Sequence, residues 1–195
     1  PLVPPSVKAV GVCVAWVRAN PHYAGCGSPA AGSTSHFLGA LLGIESKLPL
    51  TQVPYRGAVP GIADLVAGQI PVMFTTTGDL LPHYKAGKLR LLATSAPQRT
   101  VFTPDVPTFA EQGFPMLSSE EWFGFYAPAN TPAVIVRSAN EALRVALKDE
   151  AVVSSLATMG LTATPSSPEE MLASQRANSE RWAPLIKKIG FTAES

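Results

Sequence analysis

The feature that most constrains this 195-residue chain is a local pattern repeated between residues 23 and 94. A short apolar run enters a turn rich in Gly, Ser or Thr, and the turn opens a helical pattern. The run 23–26 leads through Gly27–Ser35 into a helix over 33–42, ended by Gly43. The run 50–55, whose Pro54 suits an edge or strand end, leads through Arg56-Gly57-Ala58-Val59-Pro60 into a helix over 61–67, ended by Gly68. The run 70–74 leads through Thr75-Thr76-Thr77-Gly78-Asp79 into a helix reaching Ala86, and Gly87-Lys88 turns into a strand over 89–94. Strands alternating with short helices predict an α/β fold, with a partly parallel sheet and helices packed on it. Turns that follow successive parallel strands converge along one sheet edge, where ligands bind in open α/β sheets.

The flanks read differently. Val7, Val10, Val14 and Val17 make one apolar stripe, which predicts a helix over 7–20 stopped by Asn20-Pro21. Residues 95–118 contain Pro97, Pro104, Pro107 and Pro115, a long connection with one short helix over 108–112. A strand is expected at 122–126. Thr131-Pro132 starts a long helix with Ile135, Ala139, Ala142, Leu143, Ala146 and Leu147 on its apolar face. A helix over 150–159, a strand over 161–164 and a last helix opened by Ser167-Pro168-Glu169-Glu170 follow. That helix reaches Lys188, is closed by Gly190, and is kinked or broken at Pro184.

Composition narrows the class. Hydrophobic residues are 46% of the chain and charged residues 15%, so a core can be buried and the composition argues against global disorder. A net charge of +1 argues against a nucleic-acid partner held by bulk electrostatics. No apolar run has the length of a spanning helix. Residues 1–93 carry seven basic and three acidic residues, net +4; residues 94–195 carry eight and eleven, net −3. This is either a basic half suited to an anionic partner or ordinary surface variation. Cys13, on a helix, and Cys26, at a strand end, are either two buried free thiols or one disulfide in an oxidising compartment. The opening Pro1-Leu2-Val3-Pro4-Pro5 has neither the basic start nor the cleavage site of a signal peptide. A mature chain without its leader, or a fragment, would begin this way.

Three turns carry the chemistry. In Gly27–Ser35, unpaired N–H groups at a helix start, the positive end of the helix dipole and the hydroxyls of Ser33, Thr34 and Ser35 suit a carboxylate or phosphate, or else simply cap the helix. Arg56 in Tyr55-Arg56-Gly57 is suited to a bidentate carboxylate contact, or to solvent. Thr75-Thr76-Thr77 repeats the strand-to-helix logic. The Gly27–Ser35 segment lacks the Lys of a phosphate-binding loop and the spacing of a dinucleotide fingerprint. Enzyme signatures are poor. There is no Gly-x-Ser-x-Gly elbow, and His22, His36 and His83 lack metal-ligand spacing. Glu120 and Glu121 are adjacent, so in a strand they would face opposite sides and make no acid/base pair with each other. A Cys26–His36 nucleophilic pair is conceivable, yet His36 sits more simply on the first turn of a helix. No metal or cofactor is implied.

The motifs also carry a resemblance. The glycine-serine segment recurs in order with Val53-Pro54-Tyr55-Arg56-Gly57, Leu65-Val66-Ala67-Gly68-Gln69-Ile70 and Val72-Met73-Phe74. Leu81-Pro82-His83-Tyr84-Lys85-Ala86-Gly87-Lys88-Leu89-Arg90, Pro104-Asp105-Val106-Pro107-Thr108, Trp122-Phe123-Gly124 and Ala127-Pro128-Ala129 follow. Over nearly its whole length the chain resembles the Bug family, the TctC-type substrate-binding proteins of tripartite tricarboxylate transporters. The resemblance implies a fold like a type II periplasmic binding protein, two α/β lobes with a ligand cleft between them. It implies a periplasmic, non-enzymatic receptor that binds a small carboxylate (a di- or tricarboxylate or an aromatic acid) and presents it to membrane components. The ligand-binding set it implies is Ser28, Ala31, Gly32, Ser33, Thr34, Ser35, His36, Tyr55, Arg56, Gly57, Thr75 and Thr76.

Two departures from the family pattern follow. The resemblance places the family's long leading segment ahead of the point where this sequence begins. Residues 1–95 are then the second, ligand-binding lobe, 96–121 the connection, and 122–195 the C-terminal part of a first lobe left incomplete. Exposed strand edges there would invite a homodimer. An alternative is therefore a truncated, dimerising interaction protein without tight ligand binding; a third is an enzyme recruited on the scaffold through Cys26, His36 or a serine of 33–35. Second, Thr75-Thr76 stand where the family often has Asp-Asn. No acidic group is expected at this turn to hold a ligand amine, which argues against an amino-acid ligand.

Overall fold

A computed structural model describes residues 2–192. Pro1, the first residue of the opening proline run, and residues 193–195, the end of the 122–195 region, lie outside the described residues. The chain divides into two compact units, Pro1–Glu121 with Leu185–Ser195, and Trp122–Pro184.

The first unit is built on a three-stranded sheet. Its elements are α1 (Val10–Ala19), β1 (Gly25–Ser28), α2 (Thr34–Ser46), β2 (Thr51–Pro54), α3 (Ala58–Ala67), β3 (Val72–Met73) and α4 (Thr77–Lys85). The sheet order is β2-β1-β3, all parallel. Gly25 pairs with Thr51 and Ser28 with Pro54, while Cys26 pairs with Val72 and Gly27 with Met73. Pro54, which has no N–H to offer a ladder, ends the edge strand β2.

Helix α1 begins at Val10, because Pro4 and Pro5 precede it and Val7 N–H closes a turn onto Pro4 O at 3.0 Å. Val10, Cys13, Val14 and Val17 are its buried face, and Val3, Val7, Cys13, Val17 and Ala24 form a core against Trp16, Leu48, Leu50, Val72 and Leu92. Arg18 ties α1 to the end of α2 by donating to Ser46 O at 2.7 Å. Gly43 does not end α2, contrary to expectation. The helix runs to Ser46 and is capped by Lys47 at φ 53°, since an isolated glycine weakens a helix without stopping it. Gly39 lets α2 lie close on the sheet. A Cβ there would meet Cys26 Sγ at 3.0 Å and the Gln52 amide at 3.1 Å.

The strand expected at 89–94 does not form. Only Thr94 bridges, to Thr108, with Thr94 N–H on Pro107 O at 3.1 Å and Phe109 N–H on Thr94 O at 2.9 Å. β3 is two residues long, too short to extend a ladder outward. Gln112 fastens this segment instead: its amide accepts Val10 N–H at 2.8 Å and donates to Leu92 O at 2.7 Å. Short 3-10 turns at Ala110–Gln112 and Pro115–Leu117 complete the connection.

In the second unit, the segments expected as strands at 122–126 and 161–164 join no ladder among the described residues. An isolated extended segment gains no inter-strand hydrogen bonds, and Phe123, Phe125 and Tyr126 stand 73%, 77% and 64% exposed. Helices α5 (Ala133–Ala146) and α6 (Glu150–Thr158) bury none of their residues. Pro132 is the N-cap of α5 rather than its first helical residue. Helix α7 (Pro168–Ile189) opens with a capping box, Ser167 N–H donating to Glu170 and Glu170 N–H to Ser167 Oγ at 2.7 and 3.1 Å. It continues unbroken through Pro184, where the two units divide.

Candidate ligand-binding site

The three turns lie at the carboxyl ends of the parallel strands, and backbone bonds draw them together. Tyr55 N–H donates to Ser28 O at 2.9 Å, Gly57 N–H to Pro29 O at 2.8 Å, and Phe74 N–H to Gly27 O at 2.9 Å. Helix α2 starts in their midst. Ser33 caps it, its Oγ accepting His36 N–H at 3.2 Å and donating to Ala30 O at 2.8 Å. The N–H groups of Thr34 and Ser35 have no partner among the described residues. They stand at the positive end of the helix dipole, so they can receive an anion. An apolar cavity of about 250 Å³ runs from Ser35, Thr75 and Thr77 inward to Leu38, Leu80 and Phe109.

The other residues of the expected set lie on the same three turns. Ser28 is fully buried, with Oγ 3.4 Å from Ala30 O, and Ala31 is exposed on the loop. Gly32 has φ 75°, a conformation costly for any residue with a Cβ. A Cβ there would also lie 2.7 Å from Phe191 Cζ. Tyr55 turns its hydroxyl away, onto Asp64 Oδ2 at 2.8 Å. Burial, then that bond and the Asp64 charge, push its phenol up to about 12. Arg56 is exposed and makes no hydrogen bond or ion pair among the described residues. Thr75 and Thr76 both donate to Asp79 Oδ2, at 2.8 and 2.7 Å.

His36 is held from three sides. Gly32 N–H donates to its Nδ1 at 2.9 Å, and its ring packs against Phe37 and Phe191 with centroids 5.5 and 5.4 Å away. With Nδ1 accepting, the proton of the neutral ring is on Nε2. Burial lowers its pKa below the ordinary 6.5. The unfolded chain therefore binds this proton more readily than the native one. Stability from His36 is complete above about pH 6.5 and is lost as pH falls through the depressed native value. Thermal melts should show the native chain losing more stability between pH 7.5 and pH 5 than His36→Gln. Equal losses would remove His36 from the loop's stability.

Residues outside the expected set also reach the site. The sequence reading leaves the Thr75-Thr76 turn without an acid to hold a ligand amine; Asp79 supplies one, in the first turn of α4. Its spacing from Thr76 is a helix-start signature, Thr-x-x-Asp, legible in advance. Glu121 had no such signal. Its carboxyl stands beside the Thr34 side chain, and partial desolvation, opposed by Thr34 and aided by the Asp79 charge, raises its pKa. Phe191, which walls Gly32 and His36, was equally illegible.

Nucleophilic chemistry has little support here. Both cysteines are free thiols. Burial pushes Cys26 up to about 12, with Cys13 adding to the shift, and pushes Cys13 up to about 11 against the lowering effect of Arg90. Neither is a thiolate near neutral pH, and the Nδ1 of His36 is engaged by Gly32. Among the described residues no group of three His, Cys, Asp or Glu side chains is arranged to hold a metal. No helix there is long and apolar enough to cross a membrane.

A family model described as the tripartite tricarboxylate transporter family receptor, TctC, matches residues 2–191. The chain belongs to this TctC receptor family. BugT of Bordetella pertussis is 29% identical over 184 residues, covering 94% of this chain and 56% of BugT. Among solved structures, Rpa4515 of R. palustris with adipate superposes with a TM-score of 0.85 at 28% identity, covering 95% of this chain and 62% of that one. MatC (Rpa3494) from Rhodopseudomonas palustris, with bound malate, gives a TM-score of 0.80 at 27% identity, covering 93% and 63%. The chain thus has the α/β fold of TctC-type periplasmic binding proteins, and spans little more than half of BugT and about three-fifths of these solved neighbours.

Proposed function

We propose that this TctC-family chain is the ligand-binding part of a periplasmic receptor, not an enzyme, that holds a small carboxylate for a tripartite tricarboxylate transporter. The observation that carries the reading is the start of α2. Unpaired Thr34 and Ser35 N–H groups stand where three strand-to-helix turns meet, and such a helix start favours an anion. Solved relatives that hold adipate and malate support the ligand class. The family supports the periplasmic setting and the membrane partners.

The test is a thermal-shift screen of this chain against di-, tri- and aromatic carboxylates, followed by calorimetry. A ligand that binds only the folded state raises the melting temperature with concentration. Arg56→Ala should then weaken binding by about 1.5–3 kcal/mol, roughly ten- to a hundredfold, if its guanidinium bonds the carboxylate directly. Unchanged affinity would remove Arg56 from the site. No shift with any carboxylate would overturn the receptor reading.

The exposed Phe123, Phe125 and Tyr126 favour a second reading. It is a chain that associates through this apolar surface and holds no solute tightly. Light scattering run beside the same screen separates the two: association without any ligand shift supports it.

A further inference from the structure

We infer that Asp79 makes the site select carboxylates that carry a hydrogen-bond donor beside the carboxylate, an ammonium ahead of a hydroxyl. The inference rests on the carboxylate-receptor reading above and deepens it.

The argument is an inventory of protons. A threonine or serine hydroxyl has one proton to donate. Thr75 and Thr76 both give theirs to Asp79 Oδ2, at 2.8 and 2.7 Å. Ser33 gives its proton to Ala30 O at 2.8 Å, and the Thr34 side chain stands beside the Glu121 carboxyl, whose pKa it lowers. The Thr75 and Thr76 hydroxyls, beside Asp79, therefore face a ligand with lone pairs. The donors left for an anion are the Thr34 and Ser35 N–H groups, the Ser35 and Thr77 hydroxyls on the cavity, the His36 Nε2–H and, from the neighbouring turn, Arg56. One carboxylate can be received there.

The α4 side of the site wants the opposite. Asp79 is exposed, and its second oxygen, Oδ1, accepts no hydrogen bond among the described residues. Glu121 is close enough to Asp79 to feel its charge. A plain dicarboxylate brings a second negative charge towards these two carboxyls and has no proton for Oδ1. A ligand bearing an ammonium group supplies both the proton and the compensating charge; a hydroxyl supplies the proton alone. Hydrogen bonds to charged groups are the stronger ones, which sets the order.

Succinate, malate and aspartate share a four-carbon diacid frame and differ only in H, OH or NH3+ at one carbon. Calorimetry with this chain near neutral pH should find aspartate at least about tenfold tighter than succinate, with malate between. Asp79→Asn should collapse that preference, while Glu121→Gln should strengthen succinate and keep the order. Succinate binding as tightly as aspartate would overturn the inference, and so would an unchanged preference in Asp79→Asn; the receptor reading would survive both. Binding of none of the three, nor of any other carboxylate in the screen, would overturn the receptor reading and the inference with it.

Discussion

Leu117→Ala is expected to lower stability by about 2–5 kcal/mol, the cost of truncating a fully buried leucine where the surroundings relax only in part. Leu117 has no exposed surface. It ends the 3-10 turn Pro115–Leu117, which packs against α2. The turn is closed by Leu117 N–H on Phe114 O at 3.1 Å and Ser118 N–H on Pro115 O at 3.0 Å, and Ser119 N–H reaches Ser95 O at 2.7 Å. The backbone is thus fixed on both sides of the side chain, so little can move in to fill the space. Glu121 follows in the same segment, so the loss should also loosen its placement beside Thr34. Urea denaturation checks this: the midpoint should fall with the slope unchanged. A loss below about 1 kcal/mol would mean that this segment is not anchored through Leu117.

Gly32→Ala is expected to cost about 2–4 kcal/mol, from placing a Cβ in the left-handed region and from overpacking. The two contributions are separable. The Gly32 φ of 75° is a property of the loop, whereas the 2.7 Å approach of Phe191 Cζ comes from the far end of the chain. Phe191→Ala should relieve the second and leave the first. The double variant should therefore be less destabilised than the sum of the single ones, a coupling read from a mutant cycle. Strict additivity would show that Phe191 does not crowd Gly32 in solution. Gly32 N–H also holds His36 Nδ1 at 2.9 Å, so Gly32→Ala should blunt the acid sensitivity assigned to His36.

Much of the first unit was legible from local pattern. Ser33 as a helix cap, Gly68 as a helix end, Pro54 at the end of an edge strand and the three turns at one sheet edge all follow from residue chemistry that acts over a few positions. The apolar stripe of α1 is legible for the same reason. The failures are also physical. Gly43 sits inside α2, since a glycine permits a helix end without compelling it. The runs 89–94, 122–126 and 161–164 have the composition of strands, but a strand exists only through a partner.

The candidate site divides along the same line. Sequence alone determined which turns carry N–H groups and hydroxyls, because a strand, a small-residue turn and a helix start are local events. The acceptors of the Ser33, Thr75 and Thr76 hydroxyls, three or four residues away, are local as well. Thr75 and Thr76 look like donors for a ligand until Asp79 is seen to accept from both. Thr34 looks free until Glu121, distant in sequence, is brought to its side chain. Tertiary structure alone decided that approach and the approach of Phe191 to Gly32, because packing between segments far apart in the chain sets both.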